Sequence, residues 1–268
     1  MMSVVQSNGI NLHYEERGSG DPLLLIMGIT APGAVWEKHV AYWEKSFRCI
    51  LVDNRGVGLS DKPPGPYSSA QMADDCAGLL KHLGLSDVRV VGVSMGSIIA
   101  QQLAIRHSEL VRSLVLMCPW ARCDRKAKDI FRHMMDCKAR LRPEEFSLYV
   151  QLLIFSKASF DDDSNYEDMV ADRENAALDP TPQPLVGLEG QAEACIHHQV
   201  LDLLPDIQQP TFVLGGEVDA FTPQWMTREV AGAIPNSQLH IYPGSGHAFH
   251  WENLEDFNNR VNQWLLEN

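Results

Sequence analysis

The pentapeptide Gly92-Val93-Ser94-Met95-Gly96 constrains the fold of this chain more than any other feature of its sequence. The run leading into it, Val88 to Val93, is short, β-branched and mostly apolar, as befits a strand buried on both faces. The residues after it, Ser97 to Ile105, continue as an apolar helix. A serine on so sharp a strand-to-helix turn must adopt a left-handed backbone, and larger residues on either side would collide. Gly92 and Gly96 meet that demand, so the pattern reads as a nucleophile elbow in its required strand, turn, helix context.

The rest of the chain supplies the sheet that such an elbow needs. Ile10 to Arg17 partly alternates polar and apolar residues, and Gly18 to Pro22 forms a turn before the apolar run Leu23 to Met27. Further short apolar runs follow at Cys49 to Val52, Ser113 to Cys118, Thr211 to Leu214 and Gln238 to Tyr242. Helical spacing of apolar residues marks Gln71 to Leu83, Trp225 to Ala233 and Leu254 to Leu266. Strand and helix alternate as in a doubly wound, mostly parallel α/β sheet. One gap of about ninety residues interrupts the alternation, and within it Lys126 to Leu141 and Glu144 to Phe155 have helical spacing. Pro143 suits a first helical turn and Asp161 to Asp163 suits the start of a third helix. The expected organisation is a core of residues 1–118 and 210–268, with residues 119–209 inserted as a helical lid.

Composition narrows the partners. With 268 residues the chain can bury a large core, and a formal net charge of −13 leaves no basic face for nucleic acid or anionic lipid. The segment Met1 to Gly9 is not a basic leader followed by an apolar core, and Leu23 to Met27 is far short of the roughly 20 residues of a membrane span. The six cysteines, at 49, 76, 118, 123, 137 and 195, show no tight repeated spacing. A cytoplasmic protein with reduced thiols is expected, binding a small molecule and neither nucleic acid nor membrane, with self-association left open.

In open α/β sheets the chemistry lies in the turns at the carboxyl ends of the strands. A serine hydroxyl is a weak nucleophile at neutral pH, so it needs a base, and the base needs a third group to fix its tautomer. After Thr211 to Leu214 comes Gly215-Gly216-Glu217-Val218-Asp219, and after Gln238 to Tyr242 comes Pro243-Gly244-Ser245-Gly246-His247. Asp219 is favoured over Glu217 because it lies further into its loop, and His247 over His250 because it directly follows a glycine-rich turn. The oxyanion of an acyl-transfer intermediate needs two backbone donors. Met95, next to the nucleophile, is assigned one, and Ile29, beyond the tight turn at Gly28, the other.

The order of elbow, insertion, acid and histidine resembles the α/β-hydrolase fold superfamily across nearly the whole chain. Asp53-Asn54-Arg55-Gly56-Val57-Gly58-Leu59-Ser60 resembles a structural loop of that family; its glycines mimic a phosphate loop, but no lysine follows in a Walker pattern. Two positions depart from the family: Met27-Gly28 stands where a His-Gly pair is usual, which puts the hydrogen bonding of that loop in question, and Ser97 replaces a glycine often found after the elbow. The resemblance implies a cofactor-free and metal-free serine hydrolase, similar to small single-lid carboxylesterases and enol-lactonases. A serine at 94 sets aside the dehalogenases and epoxide hydrolases of this fold, which attack with aspartate.

A small carboxylic ester or lactone is the expected substrate. The alternatives are carbon–carbon or amide-type hydrolysis of a carboxylate-bearing substrate, cofactor-free perhydrolysis, and slow-turnover ligand reception on the same fold. Trp120, Phe131, Met134, Met135, Phe146, Tyr149 and Phe155 are candidates for lining the lid side of the pocket, although packing within the lid is the plainer reading of such spacing. Arg122, Arg125 and His197 or His198 are the cations available to a substrate carboxylate, with solvated surface as the plainer reading. The adjacent His197-His198 pair is a poor metal site, because neighbouring residues on a helix point apart.

Overall fold

In the computed structural model, which describes residues 2–268, eight strands form one sheet in the order β1-β2-β4-β3-β5-β6-β7-β8. They are β1 (Met2–Ser7), β2 (Ile10–Arg17), β3 (Asp21–Ile26), β4 (Phe47–Val52), β5 (Val88–Val93), β6 (Val111–Met117), β7 (Thr211–Gly216) and β8 (Ser237–Tyr242). β1 and β2 pair antiparallel, β2 meets β4 antiparallel, and every later pairing is parallel. The sequence pattern finds seven of these. β1 escapes it because the strand is a short outer edge, where Val5 is buried and Val4 is exposed.

The chain lays β4 on one side of β3 and then crosses to lay β5 on the other, so the strand order reverses between β3 and β5. A crevice opens at such a switch point, and the loops after β3 and β5 flank it. β3 runs through the middle of the molecule with Leu23, Leu24, Leu25 and Ile26 fully buried. Leu24 and Ile26 pack into the apolar cluster on one face, while Leu23 and Leu25 pack into that on the other, so the period of two serves both layers at once. Truncating one of these leucines to alanine would cost about 2–5 kcal/mol.

The helices cover both faces. They are α1 (Glu37–Trp43), α2 (Ser69–His82), α3 (Met95–Arg106), α4 (Arg125–Arg140), α5 (Pro143–Ile154), α6 (Lys157–Asp161), α7 (Asp163–Leu178), α8 (Leu185–Ile196), α9 (Gln224–Ala233), α10 (Phe249–Glu252) and α11 (Leu254–Glu267). α4 to α8 all lie between β6 and β7. Asp124 caps α4 through Ala127 N, Pro143 opens α5, and Asp162 caps α7 through Asn165 N.

The sequence pattern carries no sign of α8, because glycines 187 and 190 lower its helix propensity. Both are there for contact: a Cβ at Gly187 would lie 2.1 Å from Gly56 O, and one at Gly190 would lie 2.4 Å from the Tyr67 ring. Glycine lets α8 press against the loop after β4. Among the described residues, no helix is long and apolar enough to cross a membrane.

Candidate active site

Ser94 sits between β5 and α3 with φ 55° and ψ −118°, a conformation that costs a non-glycine residue about 1–3 kcal/mol. The surroundings hold it there. Its amide donates to Met117 O at 2.8 Å, and its carbonyl accepts from Ser97 N at 2.9 Å and from Ser97 Oγ at 2.6 Å. Ser97, which replaces a glycine common at this point, therefore fastens the elbow. A Cβ at Gly92 would fall 2.3 Å from Gly96 O, and one at Gly96 would fall 2.0 Å from Ile26 O, so both positions exclude every other side chain.

Asp219 and His247 come together from the loops after β7 and β8. His247 Nδ1 lies 2.8 Å from Asp219 Oδ2, with the two side chains 8% and 1% exposed. The other Asp219 oxygen accepts from the amides of Phe221 and Thr222, each at 2.8 Å. Thr222 Oγ1 stands 2.9 Å from Asp219 Oδ2 and 3.0 Å from His247 Nδ1. The Phe221 ring packs against the imidazole with centroids 5.2 Å apart.

The competitors are engaged elsewhere. Glu217 is exposed and accepts from Gly244 N at 2.8 Å, while His250 is buried with its Nδ1 2.9 Å from His39 Nε2. Burial, His39 and His247 together push the His250 pKa well below its ordinary value.

The end of β6 links the two halves of the site. Met117 O holds the Ser94 amide, and the next residue, Cys118, takes a left-handed φ of 49° and donates its thiol to His247 O at 3.3 Å. Ser94 Oγ itself is buried and makes no hydrogen bond to the protein, so the serine-to-imidazole bond is not formed in this conformation. Such bonds often tighten only when substrate is bound.

Cys118, Asp219 and His247 present ligand-type atoms within 4.8 Å of one another. Asp219 and His247 are hydrogen-bonded to each other, and the Cys118 thiol donates to His247 O.

Gly28 brings the loop after β3 against the serine: a Cβ there would lie 3.4 Å from Ser94 Cβ. Among the described residues, neither the Ile29 nor the Met95 amide is taken up by a protein acceptor. For Met95 this follows from its place at the first position of α3, where helix amides have no intrahelical partner. Without the usual histidine, the loop is tied by Asn54 Nδ2 donating to Met27 O at 3.0 Å and by Thr30 N donating to Gln191 Oε1 at 3.0 Å. Gln191 belongs to α8. It and Thr222 are contacts that no local sequence pattern announces.

A cavity of about 690 Å³ lies under the inserted helices beside this loop, with Thr30, Phe146, Ile154, Phe155, Met169 and Trp251 in its lining. Of the aromatic and methionine residues expected there, Phe146 and Phe155 line it, whereas Trp120, Phe131 and Met134 are buried in the core. The cations expected to face a substrate carboxylate are not in the lining. Arg122 pairs with Glu229 at 2.7 Å, Arg125 is exposed at the start of α4, and His197 pairs with Glu193 at 3.0 Å. His198 is buried with its Nδ1 2.8 Å from Ser69 Oγ, and burial pushes its pKa down to about 3. α8 ends at Ile196, so neither histidine lies within a helix. The lining cations are Lys38 and Lys138, set among Glu37, Asp168, Asp172 and Asp179.

Known proteins share this architecture. The family model described as alpha/beta hydrolase fold matches residues 21–254. A Mycobacterium tuberculosis protein, BpoC, whose name assigns it provisionally as a non-heme bromoperoxidase, is 34% identical over 255 residues, covering 93% of this chain and 95% of its own. An esterase of Thermogutta terrifontis superposes with TM-score 0.86 at 28% identity, covering 100% of this chain and 98% of that one. The enol-lactonase of Burkholderia xenovorans LB400 superposes with TM-score 0.87 at 22% identity, covering 98% and 100%, and shows the shared fold. The chain belongs to the α/β-hydrolase fold family.

Proposed function

We propose that this hydrolase cleaves small carboxylic esters or lactones through an acyl-enzyme on Ser94. The observation that carries the reading is a serine held at φ 55° on an elbow whose sheet also delivers a buried His247–Asp219 pair at 2.8 Å. Ser94 Oγ attacks the carbonyl carbon while its proton passes to His247 Nε2, with Asp219 orienting the ring and steadying the imidazolium. The Ile29 and Met95 amides receive the developing oxyanion. When the carbon–oxygen bond to the leaving group breaks, the imidazolium returns its proton to that group. Water then repeats the attack, with His247 as its base, and frees the acid and Ser94.

The chemistry needs no cofactor or metal. The inserted helices, residues 119–209, act in this reading as a lid that admits substrate to the serine and shapes the acyl pocket. The cavity beside Thr30 presents Phe146, Ile154, Phe155 and Trp251 together with Lys38, Lys138 and several carboxylates, and Ser94 and His247 are not in its lining, so the acyl pocket of this reading is the space between Ser94 and that cavity. Six unbridged cysteines fit a reducing cytoplasm.

Hydrolysis of a chain-length series of p-nitrophenyl esters and of several lactones, alongside Ser94→Ala, tests the proposal. Turnover that falls with acyl length and vanishes in the variant supports it; a Ser94→Ala protein with near-full activity rules out the mechanism. The name of the mycobacterial relative favours one second reading, perhydrolysis. Hydrogen peroxide in place of water would attack the same acyl-enzyme, releasing a peracid and Ser94, and peroxide-dependent bromination in acetate buffer would reveal it.

A further inference from the structure

The hydroxyl of Thr222 has one proton and stands beside the Asp219 carboxylate, the His247 imidazole and the Cys118 thiol. Its Oγ1 lies 2.9 Å from Asp219 Oδ2 and 3.0 Å from His247 Nδ1, and the residue is 1% exposed. An ionised carboxylate only accepts, so the hydroxyl proton goes to Asp219 and an oxygen lone pair is left facing the imidazole. A lone pair there is satisfied only if Nδ1 carries hydrogen. The backbone of the same residue holds the other carboxylate oxygen, with Thr222 N 2.8 Å from Asp219 Oδ1. Thr222 thus grips both oxygens and offers the ring a second acceptor beside the first. Its own position is fixed, because Pro223 and helix α9 (Gln224–Ala233) follow at once.

We infer that Thr222 is a positioning residue that holds His247 in the Nδ1–H tautomer, leaving Nε2 free to take the serine proton. The inference rests on the reading of His247 as the general base. In the flipped tautomer Nδ1 and Asp219 Oδ2 would both be acceptors, and the single Thr222 proton could serve one of them but not both, so the other would be left facing a lone pair at a buried point. The hydroxyl adds to what Asp219 does alone by giving the Nδ1–H a second acceptor and by restraining the ring from swinging off the carboxylate.

Thr222→Val removes the hydroxyl and keeps the branched shape, and Thr222→Ser keeps the hydroxyl. With p-nitrophenyl acetate, the valine variant should lose about tenfold in kcat, the size expected for a buried hydrogen bond to a charged group, with KM changed by less than about twofold. The His247 Nδ1–H proton resonance, downfield of the amide region in wild-type protein, should move upfield or broaden, and serine should restore both readouts. Thr222→Ala is the second hydroxyl-free variant if valine does not fold.

A valine or alanine variant with wild-type kcat and an unmoved resonance overturns the inference, as does a serine variant that fails to rescue. Ser94→Ala, run in parallel, separates the two claims: if it keeps its turnover, the acyl-enzyme reading fails, and the proton resonance alone then decides the role of Thr222.

Discussion

The backbone amide of Thr30 donates to the side-chain oxygen of Gln191 at 3.0 Å, so the loop that carries Ile29 hangs from helix α8 of the inserted segment. Gln191 is fully buried, its amide group donates to Arg55 O at 2.9 Å, and its oxygen also accepts from Gln183 at 2.9 Å. The position of a proposed oxyanion donor therefore depends on a helix that packs on the loop after β4. Gln191→Leu fills similar space without these bonds. It should lower kcat about tenfold with a smaller change in KM, because a misplaced oxyanion donor weakens the transition state more than the ground state. Steady-state kinetics on one ester check this.

Glu252 joins the histidine loop to the insertion. Its carboxylate accepts from Gly246 N at 2.8 Å, from Ser156 N at 2.7 Å and from Ser159 Oγ at 2.8 Å. Removing it leaves two backbone amides without their charged acceptor, a loss of about 2 kcal/mol. Glu252→Ala should shift the urea midpoint down accordingly and lower kcat/KM several-fold. Unchanged stability would show that water replaces the carboxylate at no cost.

The thiols should be inert in the native protein. Cys49, Cys76, Cys118, Cys123 and Cys195 are buried, and burial raises Cys49 and Cys123 to a pKa of about 12. Only Cys137 is part-exposed, and it too is raised. Titration with a thiol-reactive chromogen should find at most one fast-reacting cysteine in native protein and all six in denaturant. Several fast thiols in native protein would contradict the packing described.

Much of this was legible because the physics is local. A strand buried on both faces reads as a short apolar run, so β3, β5 and β7 stand out, and the elbow announces itself by Gly92 and Gly96, whose every alternative meets backbone. Asp219 and His247 follow from chain order and from turns after strands. What was not legible depends on distant partners. Gly187 and Gly190 hide α8 because their purpose is contact with Gly56 and Tyr67, far away in sequence. Thr222, Gln191 and Cys118 look like ordinary residues until the fold sets an imidazole, a loop amide or a carbonyl beside them. The insertion's arginines, read as cations for a substrate, face acidic neighbours or solvent instead.

Acid should destabilise the fold through its buried neutral histidines. Burial lowers the pKa of His39 to about 4 and of His198 to about 3, and a hydrogen bond with Asn258 Oδ1 only partly offsets this for His39. In the unfolded chain both titrate near about 6.5, so between that pH and the folded value the unfolded state binds more protons. Stability is therefore lost as pH falls through this window, by up to about 1.4 kcal/mol per pH unit for each histidine. Urea midpoints measured from about pH 7 to about pH 4.5 should fall, and His39→Gln should flatten the slope. An identical slope in that variant would remove His39 from the account.

The acyl-enzyme is the most direct test of the central claim. Protein mixed with a p-nitrophenyl ester, quenched in acid during turnover and digested, should show by mass spectrometry one acyl adduct, on the peptide that contains Ser94, and Ser94→Ala should show none. Sustained hydrolysis with the adduct on another residue, or with undiminished turnover in Ser94→Ala, would contradict the mechanism.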